Sequence, residues 1–335
     1  MNSKLAKIIN KLREKPGRQA VELAEKYGYL PYMVERYIDV LGYEGAVELL
    51  EANERPIPET IRCNDYLIRC KDLVERLEEK GYSLEKIPFL PHGFKVTRTG
   101  IGSIGGTHEY LLGYYYVQDP ASMSIVYSLD PRPGELVIDM AAAPGGKSTQ
   151  ILQLTRDESL LVAVEKSPKR IKSLRSNLQR MRFNNYIIVK GDSLRVKLPK
   201  PNRVLVDAPS TGEGVIRKDP ARKKSRGVDD LVYIHGVQIG MLERAIKLLR
   251  ENGGVIMYSA CTLAPEEGEL VVDYVLEKYD FVEVVPHNTI ASEGITEYLG
   301  IPLDDRVRYC GRFWPHIHDT EGFFLCKLRV SGGRG

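Results

Sequence analysis

Three short runs hold side chains able to do chemistry. Asp207-Ala208-Pro209-Ser210-Thr211-Gly212 follows the apolar stretch Arg203 to Val206. Tyr258-Ser259-Ala260-Cys261-Thr262 follows Val255 to Tyr258, and Asp139-Met140-Ala141-Ala142-Ala143-Pro144-Gly145-Gly146-Lys147-Ser148 follows Leu136 to Asp139. Each apolar stretch reads as a strand that ends where the polar residues begin. A cysteine at such a strand end is better placed to react than one packed inside a sheet. A neighbouring carboxylate can orient a base or move a proton. The alternative reading of Cys261 is a packing residue, and position alone does not separate the two.

The third run is rich in small residues, so backbone can approach a ligand, and the helix it opens presents free N–H groups. It lacks G-x-G-x-x-G spacing, which disfavours a nicotinamide or flavin. Gly146-Lys147-Ser148 could end a phosphate-binding P-loop, making a nucleotidase a rival. That loop needs glycine at position 141, which is alanine, and Pro144 removes a backbone donor. The next two strands end in Glu165, 26 residues after Asp139, and in Gly191-Asp192. A carboxylate at the first end can accept ribose hydroxyls, and one at the second can reach an adenine amine. Each alone reads as an exposed strand end, whereas the ordered series suits S-adenosylmethionine.

The elements that must position these runs alternate. Strands are expected at 136–139, 160–164, 186–189, 203–206 and 255–258, with helices opening at Gly146 and at Ser167-Pro168, the latter a good N-cap. A long helix spans about 229–250. This is an α/β domain with a mostly parallel sheet covered on both faces. Phe281 to Val285 and Phe323 to Leu328 have only a loop between them, so the last strand should run antiparallel. Residues 1–55 read as helices broken at Pro31 and Gly42. Residues 56–118 read as a small α+β module, with RRM-like as one option, and 119–335 as the α/β domain.

The chain has 335 residues, 43% hydrophobic and 28% charged, with net charge +3. That is ordinary globular composition, which excludes a fibre or a mainly disordered chain. The charge permits a nucleic-acid partner without arguing for one. Five widely spaced cysteines include no C-x-x-C pair, so neither a disulfide framework nor a zinc site is expected, and a reducing, cytoplasmic setting is. No apolar run is long enough to span a membrane, and residues 1–15 lack a signal-peptide centre. The six histidines form no metal-like cluster, so no metal is expected. Six glutamines against many Glu, Lys, Arg, Ile and Val lean towards a thermophile.

Several blocks, in order, resemble the Nop/Sun-type RNA cytosine-5 methyltransferases. They are Ile61-Arg62-Cys63-Asn64, Tyr115 to Ser122, Asp139 to Ser148, Asp207-Ala208-Pro209, Ser259 to Leu263 with Pro265-Glu266-Glu267, and Asp319 to Lys327 with Gly322-Phe323-Phe324. The resemblance implies an S-adenosylmethionine-dependent enzyme in which Cys261 adds to carbon 6 of cytosine and makes carbon 5 nucleophilic. It implies Asp207 at the pyrimidine edge and Lys147 assisting there or at the cofactor carboxylate. The cofactor would lie against Ala141, Ala142, Ala143, Pro144, Gly145, Gly146 and Lys147, with Glu165 at its ribose, Asp192 at its adenine, and Arg170 and Asp207 flanking.

One departure stands out. Family members commonly carry a cysteine where this chain has Ser210, and that cysteine is linked to product release. Slow release is therefore expected, and an RNA-binding or assembly protein with impaired turnover is an alternative. Arg217, Lys218, Arg222, Lys223, Lys224 and Arg226 lead out of the Asp207 run and are expected to hold RNA phosphates. Seven basic residues and no acid in Lys166 to Arg182 read as a solvated helix face. Tyr233, Phe313 and Trp314 are stacking candidates for which core packing is the stronger reading. The N-terminal module is expected to dock RNA or to brace the fold. Transfer RNA is the expected substrate, in the manner of archaeal members, with ribosomal RNA the alternative. Protein partners are not legible.

Overall fold

The computed structural model describes residues 3–100 and 102–333. Leu5, Ile8, Ile9 and Leu12 recur at helical spacing among lysines and form the buried side of α1 (Ser3–Arg13). Helices α2 (Arg18–Tyr27) and α3 (Pro31–Glu54) follow. Gly42 breaks α3 internally with φ 73°, the stop expected from sequence. These helices have no core of their own. Leu5, Ile8, Tyr37 and Leu49 belong to one apolar cluster with Val204, Leu242 and Leu270 of the large domain. The expected boundary near residue 55 is therefore not a boundary of the core.

The small module contains β1 (Thr60–Cys63), α4 (Cys70–Glu78), β2 (Ser83–Lys86), β3 (Gly93–Arg98), the single turn α5 (His108–Leu111) and β4 (Tyr115–Val117). Its antiparallel sheet runs β2-β3-β1-β4, a βαββαβ arrangement. One face buries Ile61, Cys63 and Phe94 against Leu73 and Leu77. On β1 the intervening Arg62 points the other way, into the large domain. It donates to Gln153 Oε1 at 2.9 Å, Thr149 Oγ1 at 2.8 Å and the Gly146 carbonyl at 2.8 Å. Arg62 thus ties the module to the helix that the small-residue loop opens.

The large domain begins with α6 (Pro120–Leu129), β5 (Leu136–Asp139), α7 (Gly146–Leu154), β6 (Leu160–Glu165), α8 (Pro168–Arg180) and β7 (Tyr186–Lys190). It continues with β8 (Arg203–Ala208), α9 (Val228–Leu249), β9 (Gly254–Ala260), α10 (Glu269–Lys278) and β10 (Val282–Val284). The last part holds β11 (Ser292–Glu293), β12 (Glu297–Tyr298), β13 (Ile301–Pro302), β14 (Gly311–Phe313), α11 (Pro315–His318) and β15 (Phe323–Val330). The nine-stranded sheet runs β11-β14-β15-β9-β8-β5-β6-β7, with β10 also on β15. Strands β5 to β9 are parallel, and β15 enters antiparallel beside β9. The antiparallel last strand matches the expectation. The bare loop before it does not, because four strands of two or three residues lie there, too short to leave a periodic signal. Among the described residues, no helix is long and apolar enough to cross a membrane.

Two disulfides correct the cysteine reading. Cys63 pairs with Cys70 and Cys310 with Cys326, at Cα separations of 5.8 and 4.4 Å. The first pair joins the end of β1 to the start of α4, and the second joins the approach to β14 to its neighbour β15. Strand geometry brings together cysteines whose sequence spacing gives no hint. Disulfides also occur inside cells of some thermophiles, so cysteine usage does not report the compartment.

Arg36 on α3 is sealed from water and donates to Glu213 Oε1 at 3.0 Å and to Glu266 Oε2 at 3.4 Å. Glu213 lies in the loop after β8 and Glu266 in the loop after β9. Tyr37 and Tyr298 hydroxyls donate to the same two carboxylates, at 3.2 and 2.8 Å. Removing the cation leaves two buried acids unpaired, so Arg36→Met is expected to cost about 3–5 kcal/mol in guanidinium unfolding. A loss below about 1 kcal/mol would show that the cluster does not hold the loops.

Candidate active site

The parallel register aligns Asp207 with Ser259 and Ala208 with Ala260, so the loops after β8 and β9 leave the sheet side by side. The strand order reverses at β5, and ligands of open α/β sheets bind at such a switch point. Asp207 accepts from Ser259 Oγ at 2.9 Å and from Lys147 Nζ at 2.9 Å. Lys147 Nζ also lies 4.9 Å from the centroid of the Phe323 ring. The lysine thus reaches across to the acid rather than over a phosphate nest. Nothing in the loop supports the P-loop alternative.

Cys261 is the free thiol among the described residues and is partly buried. Its sulfur lies 3.5 Å from the Gly322 carbonyl and 3.7 Å from Glu321 Oε2. Burial, reinforced by the Glu321 charge and opposed by Lys147, pushes the thiol well above its ordinary value. The residue at rest is therefore a protonated thiol, whereas its strand-end position had suggested a ready thiolate. Ser210 donates to the Cys261 carbonyl at 3.0 Å, so the serine stands beside the cysteine as a backbone clamp. Gly214 packs so closely that a Cβ there would come within 2.9 Å of the Cys261 sulfur.

Two cavities meet at Ala141, Ala143 and Asp207. The first, of about 350 Å³, is lined by Ala142, Pro144, Gly146, Lys147, Asp119, Lys218 and Glu321, with Tyr116 and Gln118. The second, of about 410 Å³, is lined by Glu165, Arg170, Asp192, Pro209 and Ser210, with Met140, Val237 and Met241 as apolar wall. Gly145 lines neither and serves as the left-handed cap of α7 at φ 109°. Glu165 accepts from the Ser167 N–H at 2.8 Å and is 3.3 Å from Arg170, which also donates to the Ala143 carbonyl. Asp192 accepts from the Leu194 N–H at 3.0 Å. Two carboxylates with an apolar slab between them fit a nucleoside carrying a cation better than they fit a polyphosphate.

The basic loop is placed differently from the expectation. Arg217 is turned inward and donates to the Pro56 carbonyl at 2.9 Å and to Asp319 at 3.0 Å. Lys223 donates to the Tyr27 carbonyl and to Glu54. These two tie the loop to the N-terminal helices, and their phosphate-holding role is corrected to that extent. Arg222 pairs with Asp219 and Arg226 with Asp230, while Lys224 is exposed. Lys218 faces the first cavity and pairs with Glu321 at 2.5 Å. Phe313 and Trp314 are buried as expected, but Tyr233 is 72% exposed at the rim of the second cavity.

Sequence reasoning missed two acids, Asp119 and Glu321. Asp119 caps α6 through the Ala121 N–H at 2.8 Å and accepts from the Glu321 N–H at 3.0 Å. Both fell inside blocks already singled out, and a buried acid beside Gly322-Phe323-Phe324 was the available signal.

A model of the family described as 16S rRNA methyltransferase RsmB/F matches residues 126–329, and the N-terminal domain of 16S rRNA methyltransferase RsmF matches 30–120. The chain belongs to the RsmB/F methyltransferase family. The human 28S rRNA (cytosine(4447)-C(5))-methyltransferase is 35% identical over 92% of this chain and 38% of its own length. The 25S rRNA (cytosine-C(5))-methyltransferase nop2 of Schizosaccharomyces pombe is 32% identical over 97% of this chain and 56% of its own. A methyltransferase homolog from Pyrococcus horikoshii of known structure is 34% identical, with TM-score 0.83 over 94% of this chain and all of that one. The Nop/Sun-type resemblance and the methyltransferase fold both hold. The chain spans about two fifths of the first of these curated relatives and just over half of the second.

Burial and the Glu321 charge push Asp119 up to about 7. A folded-state value above the unfolded one means that its contribution is complete below about pH 4 and is lost as pH rises through 7. The Tm advantage of wild type over Asp119→Asn is therefore expected to shrink between pH 5 and pH 8. A constant difference would show that Asp119 does not titrate there.

Proposed function

We propose that this protein methylates carbon 5 of a cytosine in RNA, through an adduct of Cys261 with carbon 6. The observation that carries the reading is the free Cys261 thiol on the same sheet edge as the Lys147–Asp207 pair, with the two cavities joining at Asp207. The cavity beside Glu165 and Asp192 would hold S-adenosylmethionine, which supplies an electrophilic methyl group on a sulfonium. Gly146 and Lys147 shape the first cavity, where the flipped base would lie. Cys261 Sγ adds to carbon 6, and the displaced π pair moves towards ring nitrogen 3. Asp207, beside the Lys147 ammonium, would hold a proton on ring nitrogen 3 and so neutralise that pair. Carbon 5 is then nucleophilic, and after methylation it loses its proton as the sulfur leaves.

The RNA class deserves revision. Transfer RNA was the expectation from the sequence, yet the relatives are named for ribosomal RNA, so ribosomal RNA is the better-supported substrate. Phosphates would meet Lys224 and Arg226 rather than Arg217. The face of β1 that carries Arg62 is docked on α7, which favours bracing over stacking of bases by that face.

Labelled methyl transfer from S-adenosylmethionine into ribosomal and transfer RNA transcripts tests this. Incorporation at cytosine carbon 5 is expected with ribosomal RNA and none with Cys261→Ala. Equal incorporation by Cys261→Ala would remove the thiol from the mechanism. Cofactor binding without incorporation into either RNA would favour an assembly role. Ser210→Cys is expected to raise multiple-turnover rate and lower the amount of adduct on a denaturing gel. No change in either quantity would show that Ser210 does not limit release.

A further inference from the structure

Cys261 is a thiol whose surroundings resist ionisation, yet the proposed chemistry needs its sulfur pair free. Five charged groups bear on it: Glu321, Lys147, Asp119, Asp207 and Lys218. Lys147 is committed to Asp207. Asp119 is occupied by two backbone donors, Ala121 N–H and Glu321 N–H. The S–H proton has two acceptors in reach, the Gly322 carbonyl at 3.5 Å and Glu321 Oε2 at 3.7 Å. Only the carboxylate can take the proton away.

We propose that Glu321 is the general base for Cys261 and that Lys218 positions it. This rests on the reading of Cys261 as the nucleophile. Lys218 Nζ holds Glu321 Oε1 at 2.5 Å, leaving Oε2 turned to the sulfur. The Asp119 carboxyl fixes the Glu321 backbone at 3.0 Å, so two residues set one oxygen. As the S–C6 bond forms, the S–H proton passes to Oε2 and the C5=C6 pair moves into the ring. When the S–C6 bond breaks, the sulfur keeps that bond's pair and recovers the proton from Glu321, while the C5–H pair restores the C5=C6 bond and the carbon-5 proton leaves to water. The sulfur proton thus cycles within the site, and the one proton released overall is that of carbon 5.

Internal transfer has a signature that a structural role lacks. When the carboxylate takes the proton as sulfur attacks, the protonated thiol is the reacting form, so the rate stays level with pH. Loss of the proton to solvent instead grows tenfold for each pH unit. The probe is iodoacetamide on the cofactor-free protein, read by intact mass, because Cys261 is the free thiol among the described residues. Wild type is expected to alkylate at nearly constant rate between pH 6.5 and 8.5. Glu321→Gln is expected to rise about tenfold per pH unit and to lose roughly 100-fold in single-turnover methyl transfer at pH 7, with the deficit shrinking as pH rises. Should the glutamine variant not fold, Glu321→Asp, which withdraws the carboxylate by one methylene, is expected to give the same slope. Parallel alkylation profiles for wild type and variant, or a methyl-transfer deficit constant across pH, overturn the proposal. If Cys261→Ala still methylates, the underlying reading has failed. If Cys261→Ala is inactive and the Glu321 profiles are parallel, only the base assignment has failed.

Discussion

The Arg36 guanidinium, held without water between Glu213 and Glu266, is the constraint on which the site depends. Loops at a sheet edge are ordinarily the mobile part of an α/β domain. Here the loops after β8 and β9 each commit a buried acid to one cation supplied by α3. The neighbouring acids are equally engaged. Glu267 accepts from the Thr211 N–H at 2.9 Å, and Glu269 grips Arg312, with 2.6 Å from its Oε1 to the arginine Nε. The acids of Pro265-Glu266-Glu267 and Gly268-Glu269 thus act as internal braces. A buried ion set costs desolvation, and what it contributes is a single geometry rather than net stability.

That geometry sets the electrostatics. The cysteine is shielded enough to stay protonated, and the lysine is neutralised by Asp207 instead of pairing with sulfur. A shielded thiol resists oxidation and stray alkylation, because thiolate character governs both. Reactivity then depends on a base placed to take the proton as the electrophile arrives, not on standing thiolate. Ser210, bonded to the Cys261 carbonyl, holds the loop without competing for the reaction.

Much of this was legible in the sequence where chemistry coincides with strand ends. Asp139, Glu165, Asp192, Asp207 and Cys261 each follow an apolar run, and a parallel sheet sends all such ends to one edge. What was hidden depends on pairing between distant segments. Asp119 reads as a helix cap and Glu321 as a strand approach, and only the antiparallel entry of β15 joins them. Arg217 and Lys223 read as free positive charge because their partners, at 54, 56 and 319, lie far along the chain. The disulfides were hidden for the same reason. Tyr233 and Trp314 look alike in sequence, yet one is exposed on α9 and the other is buried at the start of α11, which local periodicity does not distinguish.

The central claim is a bond between Cys261 and carbon 6 of cytosine. RNA whose cytosines carry fluorine at carbon 5 tests it directly, since fluorine is not lost as a cation and the adduct cannot collapse. After incubation with S-adenosylmethionine and digestion, mass spectrometry of the peptides should find the methylated nucleotide on the Cys261 peptide alone. Attachment to any other residue, or no attachment from a preparation that methylates unmodified RNA, would contradict the account.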